Sequence, residues 1–363
     1  MRIVILGLSI TSSWGNGHAT TYRSLVRGLV QRGHDVLFLE RDKPWYQTNR
    51  DLQEAPFGRI ELYANLDELK TRYATAIRGA DFIIVGSFVP EGVAVGEWVL
   101  SVANCGVAFY DIDTPITLAR LDSGETDYLS SDLVKRYDLY LSFTGGPTLE
   151  RLQTKYRSPR ARVLYCSVDE SIYYPEEDHG QQWDLGYLGT YSDDRQPVLE
   201  NLMLTPASRW PEGKFVVAGP QYPDSIRWSQ NVHRVDHVPP DKHRWFYNSQ
   251  RFTLNVTRAD MVRAGYSPSI RLFEAAACGV PIISDYWDGL GDVLSLGDEI
   301  LVSHSPEESL RYLQGLSAQD AAAIGQRARA RVLAEHTGEK RAAQLEAYVL
   351  ELAGDSAALR TPA

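Results

Sequence analysis

The chain has 363 residues, and its 37 Lys and Arg against 47 Asp and Glu give a formal net charge of −10. With 44% hydrophobic and 23% charged residues, the composition is typical of a globular protein and excludes long disordered stretches. The acidic balance argues against a protein that coats nucleic acid, and no apolar run approaches the roughly 18 residues of a membrane span. A prior of about 150 residues per domain predicts two domains.

The cysteines indicate the redox compartment. Cys105, Cys166 and Cys278 lie far apart, in a spacing that fits neither a disulfide framework nor a zinc site. We therefore expect a reducing, cytoplasmic location. The short apolar run after Met1 indicates a buried first strand rather than a secretory signal, since no small-residue cleavage site follows it cleanly.

Strands and helices alternate along the first half of the chain. Continuous apolar runs predict strands at 2–8, 36–39, 59–64, 81–86, 107–110, 138–143 and 161–166. Helical periodicity predicts one helix after the loop that contains Gly15 and Gly17, and others near 66–78, 91–103 and 147–156. This alternation indicates a parallel sheet with helices on both faces.

Residues 167–182 interrupt the alternation. They are polar, contain Pro175 and Gly180, and predict a linker between domains. A second series of strands follows at 184–189, 214–219, 232–236, 251–256, 280–284 and 299–302. Helices are predicted near 196–205, 241–248, 268–278, 306–316, 318–335 and 339–353.

The predicted fold is therefore α/β, with two Rossmann-like parallel-sheet domains that face an interdomain cleft. The N-terminal domain spans 1–175 and the C-terminal domain 176–363, whose last helix can pack back onto the first domain. In open α/β sheets, ligands bind outside the carboxyl ends of the strands. The loops that follow the strands are thus the places to look for a site.

The segment 251–285 carries the most specific pattern, RFTLNVTRADMVRAGYSPSIRLFEAAACGVPIISD. Ser267 and Pro268 predict a helix start, and Gly279 predicts its end. Free amides at a helix start favour a phosphate group, and Arg258 and Arg271 can flank that anion. The alternative is a surface pair between Arg271 and Glu274, which are three residues apart.

FEAAACGVPIIS resembles the Glu-Ala-x-Ala-x-Gly-x-Pro-Val-Ile segment of GT-B glycosyltransferases that have a retaining, group-1 type of second domain. The wider patterns resemble the CgeB-like, or spore-maturation-protein-like, branch of these enzymes; they are LNVTR, GYSPSIRLFEAAACG, SDYWDGL, YLGTYSDDR, FVVAGPQYP, SFTGGP, SSWGNGHATTYR and FYDIDTP. The resemblance covers most of the chain in order. It implies binding of a nucleotide sugar.

The resemblance also assigns roles to residues of the second domain. Glu274 matches the glutamate that binds the ribose hydroxyls, and Arg195 matches a basic residue early in that domain. His237 falls where the family contacts the nucleobase. The loop at 265–269 matches the pyrophosphate loop, with Tyr266, Ser267 and Ser269. Tyr266 stands where many group-1 enzymes have a second glutamate near the sugar, so the usual sugar contact is replaced.

Two residues of the first domain are candidates for catalysis. His18 begins the first helix and can act as a general base or contact a sugar; packing at a helix start is the alternative. Asp113 follows the 107–110 strand and can orient an acceptor hydroxyl. Asp111 and Asp113 imitate the metal-binding Asp-x-Asp of a different glycosyltransferase fold, so no metal is expected here. Glu40 ends the second strand, where a dinucleotide-binding dehydrogenase has its ribose acid.

These observations favour a metal-independent glycosyltransferase of the hexosyltransferase type, without a cofactor. Its partners would be a nucleotide diphosphate sugar as donor and a sugar or other hydroxylated acceptor, with no nucleic acid. The aromatic residues Trp14, Trp45, Tyr46 and Tyr110 are consistent with a carbohydrate acceptor. Two alternatives stay open, a nucleotide-sugar epimerase on the same fold and a non-catalytic nucleotide- or sugar-binding protein.

Overall fold

The computed structural model describes residues 1–14, 17–52, 56–125, 127–176 and 180–358. Gly15, in the loop before the first predicted helix, lies outside the described residues. The chain divides into two compact units, one made of Met1–Ser167 with Thr337–Ala363, and the other of Val168–His336. No helix of the described residues combines the length and the apolar character that crossing a membrane requires.

The first unit contains a seven-stranded parallel sheet in the order β3-β2-β1-β4-β5-β6-β7. Its strands are β1 Arg2–Gly7, β2 Asp35–Arg41, β3 Arg59–Tyr63, β4 Phe82–Gly86, β5 Gly106–Asp111, β6 Leu139–Ser142 and β7 Ala161–Val163. Its helices within the segment Met1–Ser167 are α1 Gly17–Gln31, α2 Pro44–Gln47, α3 Leu66–Arg78, α4 Gly92–Val102, α5 Thr114–Ser123, α6 Ser131–Arg136 and α7 Pro147–Thr154. The strand order reverses at β1 and β4, where a crevice opens at the carboxyl edge.

The second unit contains a six-stranded parallel sheet in the order β10-β9-β8-β11-β12-β13. Its strands are β8 Trp183–Leu188, β9 Phe215–Ala218, β10 Val232–Val235, β11 Gln250–Asn255, β12 Ile282–Ser284 and β13 Leu301–Val302. Its helices are α8 Gln196–Leu199, α9 Thr205–Arg209, α10 His243–Asn248, α11 Ala259–Ala264, α12 Ile270–Ala277, α13 Leu290–Val293, α14 Pro306–Gly315 and α15 Ala318–Glu335. A π turn, Glu200–Leu204, joins α8 to α9, and a 3-10 turn, Pro240–Lys242, precedes α10. The order reverses between β8 and β11.

Side-chain caps explain several helix starts. Asn65 accepts a hydrogen bond from the Glu68 amide before α3, and Ser305 accepts one from Glu308 before α14. Each cap satisfies an amide that has no partner inside the helix, and replacing it by alanine costs about 1 kcal/mol. These local signals place α3 and α14 where the sequence predicts them.

The last helix, α16 Gly338–Ala358, belongs to the first unit and packs along α1. Ala342, Leu345 and Val349 are buried in the apolar cluster that covers one face of the first sheet. The helices touch at Gly28, where a Cβ atom would lie 2.2 Å from the Gly338 carbonyl oxygen. Glycine is therefore required at this crossing.

The boundary between the units differs from the sequence prediction at residue 175. The contacts assign residues 168–176, predicted as linker, to the second unit. Tyr173 is buried there, with its ring centroid 6.4 Å from that of Tyr247. The polar composition of the segment hides this buried aromatic ring. The predicted α/β class with two Rossmann-like parallel-sheet domains is confirmed.

Candidate functional site

Asn255 organises the carboxyl edge of the second sheet. It ends β11, is fully buried, and donates from Nδ2 to Thr257 and Ser284. Its Oδ1 accepts hydrogen bonds from Ser269 at 2.8 Å and from Arg271 at 3.0 Å. One amide thus fixes the start of α12 and the guanidinium of Arg271 together.

Three arginines of the second unit influence one another without a neutralising carboxylate. Burial lowers the pKa of Arg195, and the charges of Arg271 and Arg258 lower it further. Within the described ranges, no carboxylate oxygen lies within salt-bridge distance of these three side chains. The Nε of Arg195 is buried and has no hydrogen-bond partner among the described residues. A cluster of uncompensated guanidinium groups is the feature expected of a phosphate site.

Backbone contacts hold two of these arginines in place. Arg271 donates to the Leu188 carbonyl at 2.8 Å and lies over the Tyr187 ring at 5.0 Å. Arg195 donates to the Thr190 carbonyl at 2.6 Å. The exposed Arg258 is the N-cap residue of α11, and the Asp194 carboxylate accepts the next amide, that of Ala259. The Asp194 contact therefore fixes the backbone that carries Arg258.

Two glycines bring the β8 and β9 loops together beside the cluster. A Cβ atom on Gly219 would lie 2.0 Å from the Gly189 carbonyl oxygen, and Gly219 has φ +145. A Cβ atom on Gly189 would lie 3.1 Å from a terminal nitrogen of Arg271. Larger residues would push the loops apart and displace the guanidinium.

The loop before α12 is held by the turn after β12. Tyr266 has φ 46, and its amide donates to the Asp288 carbonyl at 2.5 Å. Its ring covers Gly289, where a Cβ atom would lie 2.3 Å from the ring. Ser267 is buried, and Ser269 is the N-cap residue of α12. A non-glycine residue at positive φ costs of order 1–3 kcal/mol, which this packing must compensate.

Glu274 lies in the second turn of α12 and is only 5% exposed. Tyr247 donates from its hydroxyl to Oε2 at 3.0 Å, and the buried Tyr173 packs beside Tyr247, with ring centroids 6.4 Å apart. Burial raises the pKa values of both tyrosines well above the ordinary range, so both remain donors at neutral pH. The surface pair between Arg271 and Glu274, the alternative reading of the sequence, does not occur.

His237 and Asp285 follow the strands β10 and β12. His237 is exposed after β10, and partial burial together with the charge of His243 lowers its pKa. Asp285 is buried and accepts hydrogen bonds from the Thr257 amide and hydroxyl. Desolvation raises the pKa of Asp285.

In the first unit, the structure brings His18 and Asp113 together. The His18 Nε2 lies 3.4 Å from the Asp113 Oδ2, and His18 is 8% exposed. The edge of the imidazole meets the Phe88 ring, with centroids 5.5 Å apart. His18 is in the first turn of α1, Phe88 follows β4, and Asp113 follows β5. Three neighbouring strand ends thus converge on one imidazole.

Asp111 does not join Asp113 in a metal-binding pair. Its side chain is buried and accepts hydrogen bonds from Tyr140 and Thr117. Among the residues that the structure describes, no group of three or more His, Cys, Asp or Glu side chains is arranged to hold a metal ion.

Glu40 is committed to the protein backbone. It is fully buried, and its carboxylate accepts hydrogen bonds from the amides of Ile10 and Thr11 and from the hydroxyls of Ser9 and Thr11. A carboxylate that shapes the β1–α1 loop in this way has no capacity left for a ribose. The interpretation of Glu40 as the ribose-binding acid of a dehydrogenase is therefore wrong.

Two exposed tryptophans lie in the segment before α1 and in α2. Trp14 is 42% exposed and Trp45 62%. Asp51 accepts hydrogen bonds from the amide and hydroxyl of Ser13, and Arg23 binds the same carboxylate with two nitrogens at 2.8 and 2.9 Å. The Asp51 carboxylate therefore joins the segment before Trp14 and α1 to the segment that follows α2.

The sequence analysis did not predict several residues of these sites: Phe88, Tyr173, Asp194, Tyr247 and Asn255. Asn255 and Phe88 end or follow strands, so their position at strand ends was the available signal. Tyr247 contacts both Glu274 and Tyr173 across long sequence distances, which one sequence does not reveal.

Two parallel-sheet domains of this topology define the GT-B fold, and solved structures of that class superpose on nearly the whole chain. Sucrose-phosphate synthase from Thermosynechococcus elongatus is 14% identical, with a TM-score of 0.70 over 98% of this chain and 100% of that one. Anabaena HepE in complex with UDP-glucose is 13% identical, with a TM-score of 0.67 over 97% and 100%. An α-glucosyltransferase in complex with UDP is 12% identical, with a TM-score of 0.72 over 96% and 100%.

At these identities the likeness shows the fold, and the family model adds the class of domain. Residues 195–347 match a family model described as glycosyl transferase-like. The match includes Arg195, Arg258, Arg271 and Glu274. No curated protein sequence matches the chain. The GT-B part of the sequence-based resemblance is thus supported, and the CgeB-like branch stays a prediction.

Proposed function

We propose that the protein is a glycosyltransferase of the hexosyltransferase type, which moves a sugar from a nucleotide diphosphate sugar to a hydroxylated acceptor. The observation that carries this proposal is the cluster of Arg195, Arg258 and Arg271, which no carboxylate neutralises among the described residues. A diphosphate bound there would replace water and supply the missing negative charge. The UDP and UDP-glucose complexes of the similar structures support a donor of this kind.

The leaving diphosphate explains why the charges matter for chemistry. Breaking the bond between the sugar and the diphosphate leaves additional negative charge on the phosphate oxygens. Fixed guanidinium groups and the free amides at the start of α12 stabilise that charge without reorganising. Glu274, held by the Tyr247 hydroxyl, would accept hydrogen bonds from the ribose hydroxyls. Tyr266, Ser267 and Ser269 would line the sugar and diphosphate, and His237 the nucleobase.

His18 is the proposed general base for the acceptor hydroxyl. The Asp113 carboxylate orients the imidazole and stabilises the imidazolium that forms when the acceptor loses its proton. Trp14 and Trp45 would offer apolar ring faces to a carbohydrate acceptor. We expect no metal requirement, because the arginines supply the positive field and Asp111 is engaged inside the protein. The cytoplasmic location, argued from the cysteines, also stays a prediction.

Nucleotide binding tests the donor site directly. Calorimetric titration of the purified chain with UDP, GDP, ADP and dTDP should give at least one saturable isotherm. Arg258→Ala should weaken that binding at least tenfold, because a hydrogen bond to a charged group contributes about 1.5–3 kcal/mol. Arg227→Ala removes an exposed arginine from a loop elsewhere in the same unit and should leave the affinity unchanged. Equal losses in both variants, or no binding of any nucleotide, would contradict the proposal.

Product analysis separates the alternatives. Incubation with UDP-glucose, in the presence and absence of candidate sugar acceptors, should release UDP and form a glycosylated product. A changed sugar that remains attached to the nucleotide would instead indicate the epimerase. Binding without any change in the nucleotide sugar would indicate a non-catalytic binding protein.

A further inference from the structure

Asp111 is a buried carboxylate without a cation. Its Oδ2 accepts a hydrogen bond from Tyr140 at 2.5 Å, and its Oδ1 accepts from the Thr117 hydroxyl at 2.7 Å and the Asp113 amide at 3.3 Å. No Lys, Arg or His of the described residues forms an ion pair with it. Burying an unpaired carboxylate opposes folding unless neutral donors satisfy it, and here they do so incompletely. A buried charge of this kind at the carboxyl edge of a sheet requires an explanation.

The contacts of Asp111 lead to His18 by two routes. The direct route passes through the Asp113 amide, and the carboxylate of Asp113 lies 3.4 Å from the imidazole. The second route passes through the Thr117 hydroxyl to the Tyr128 hydroxyl at 2.8 Å. The ring of Tyr128 packs on that of Phe88, with centroids 4.4 Å apart, and Phe88 meets the imidazole edge.

The two routes form a closed ring of contacts, which we name the His18 ring: Asp111, Thr117, Tyr128, Phe88, His18 and Asp113. Phe88 has φ 61, a left-handed conformation that a non-glycine residue adopts at a cost. Packing against Tyr128 and His18 keeps it there. Two members of the His18 ring thus restrain the imidazole: the carboxylate of Asp113 and the aromatic side chain of Phe88.

We infer that Asp111 is the positioning residue of this ring: through its three accepted hydrogen bonds it fixes Asp113 and Phe88 against the His18 imidazole. The inference rests on the proposed function for its catalytic meaning, since His18 is the proposed base. Its structural content does not depend on sugar transfer. A base must lie within a few tenths of an ångström of its working position, and a shift of 1 Å can lower turnover by about 10²-fold.

Two buried tyrosines provide a matched test. Tyr140 and Tyr137 are both 0% exposed, and both pack on Phe109, with centroids 5.3 and 5.5 Å from its ring. Tyr140 donates to Asp111, whereas the Tyr137 hydroxyl has no hydrogen-bond partner among the described residues. Tyr140→Phe therefore removes one of the three bonds to Asp111, and Tyr137→Phe makes the same chemical change outside the ring.

The primary measurement is the imidazole spectrum of histidine-labelled protein, with His18 assigned by comparison with His18→Gln. Tyr140→Phe should shift or broaden the ¹⁵N signals of the His18 imidazole, and Tyr137→Phe should leave these signals in place. If Tyr140→Phe fails to fold, Asp111→Asn gives the same comparison. A His18 spectrum that is unchanged in a folded Tyr140→Phe or Asp111→Asn variant, or equally changed in Tyr137→Phe, would overturn the inference.

Turnover of UDP-glucose gives the second measurement. Tyr140→Phe should lower kcat about tenfold with the KM for the donor unchanged, and Tyr137→Phe should keep the kcat of the natural protein. A rise in KM alone would contradict a role in positioning the base. If the natural protein does not turn over UDP-glucose, the imidazole spectrum still decides whether Asp111 positions His18. Failure of the proposed function is then visible separately.

Discussion

In the Asp111→Asn variant, the free energy of unfolding should depend less on pH than it does in the natural protein. Burial raises the pKa of Asp111 from 3.8 to about 6, against the opposing effect of the hydrogen bonds from Tyr140 and Thr117. The neighbouring tyrosines do not titrate in this range, since burial raises the pKa values of Tyr140 and Tyr128 above their ordinary value. The charge of the Asp113 carboxylate also raises the pKa of Asp111.

The sign follows from proton binding. Between about pH 4 and pH 6, the folded protein holds a proton on Asp111 that the unfolded chain has lost, so the free energy of unfolding increases as the pH falls. A shift of about two pKa units corresponds to roughly 3 kcal/mol, at 1.36 kcal/mol per unit. From pH 7.5 to pH 5.0, only part of the titration is completed, and the expected gain is about 1.4 kcal/mol. Asparagine cannot contribute it.

The assay is urea unfolding of the natural protein and of Asp111→Asn at pH 7.5 and pH 5.0, followed by circular dichroism. Other groups titrate in both proteins, so the informative quantity is the difference between the two free energies of unfolding at each pH. That difference should move by about 1.4 kcal/mol in favour of the natural protein at pH 5.0. Asp132→Asn, at a position where the side chain is 68% exposed, serves as the control. A difference that is independent of pH, or that moves the other way, would refute the assignment of a desolvated carboxyl group.

Three further predictions concern the proposed donor and acceptor sites. Glu274→Gln should weaken UDP binding about tenfold or more in calorimetry while the melting temperature without ligand stays nearly constant, because ribose hydroxyls bind a carboxylate more strongly than an amide; an unchanged affinity would remove Glu274 from the site. Activity should survive excess EDTA, and complete loss that Mg²⁺ or Mn²⁺ restores would show a metal requirement instead. His18→Ala should lower turnover about 10²-fold without changing UDP affinity; natural turnover in a stable variant would assign His18 to packing alone.

The sequence predicts those parts of the fold that depend on local patterns. The helices at 66–78 and 318–335 have the predicted bounds because caps and apolar periodicity mark both ends. It does not predict the short helices α5 and α6, which begin at Thr114, directly after Asp113, and at Ser131. The parallel order of both sheets follows from the alternation of elements, which is a property of the whole chain rather than of any segment.

The sites are predicted unevenly for the same reason. Arg258 and Arg271 lie in one short motif, so their proximity could be predicted from spacing, whereas the role of Glu274 stays a prediction. The pairing of His18 with Asp113 joins residues 95 positions apart and emerges only from the strand order. The sequence does not predict whether a carboxylate is available to a ligand. Glu40 and Asp111 occupy strand ends that suggest function, and in the structure each accepts hydrogen bonds from the protein itself.

The return of α16 to the first unit determines how the protein can be divided for study. A fragment ending at Ser167 would lack the helix that covers part of the first sheet, exposing the apolar surface now buried under Ala342, Leu345 and Val349. The Ser167 hydroxyl donates to the Ser24 hydroxyl at 2.9 Å, and a Cβ atom on Gly338 would lie 2.2 Å from the Ser24 carbonyl oxygen. Ser167 and Gly338, which lie where the chain leaves and re-enters the first unit, therefore both contact Ser24 of α1. An isolated first unit is best made by joining residue 167 to residue 337 through a short flexible link, and the excised residues 168–336 then form a continuous second fragment.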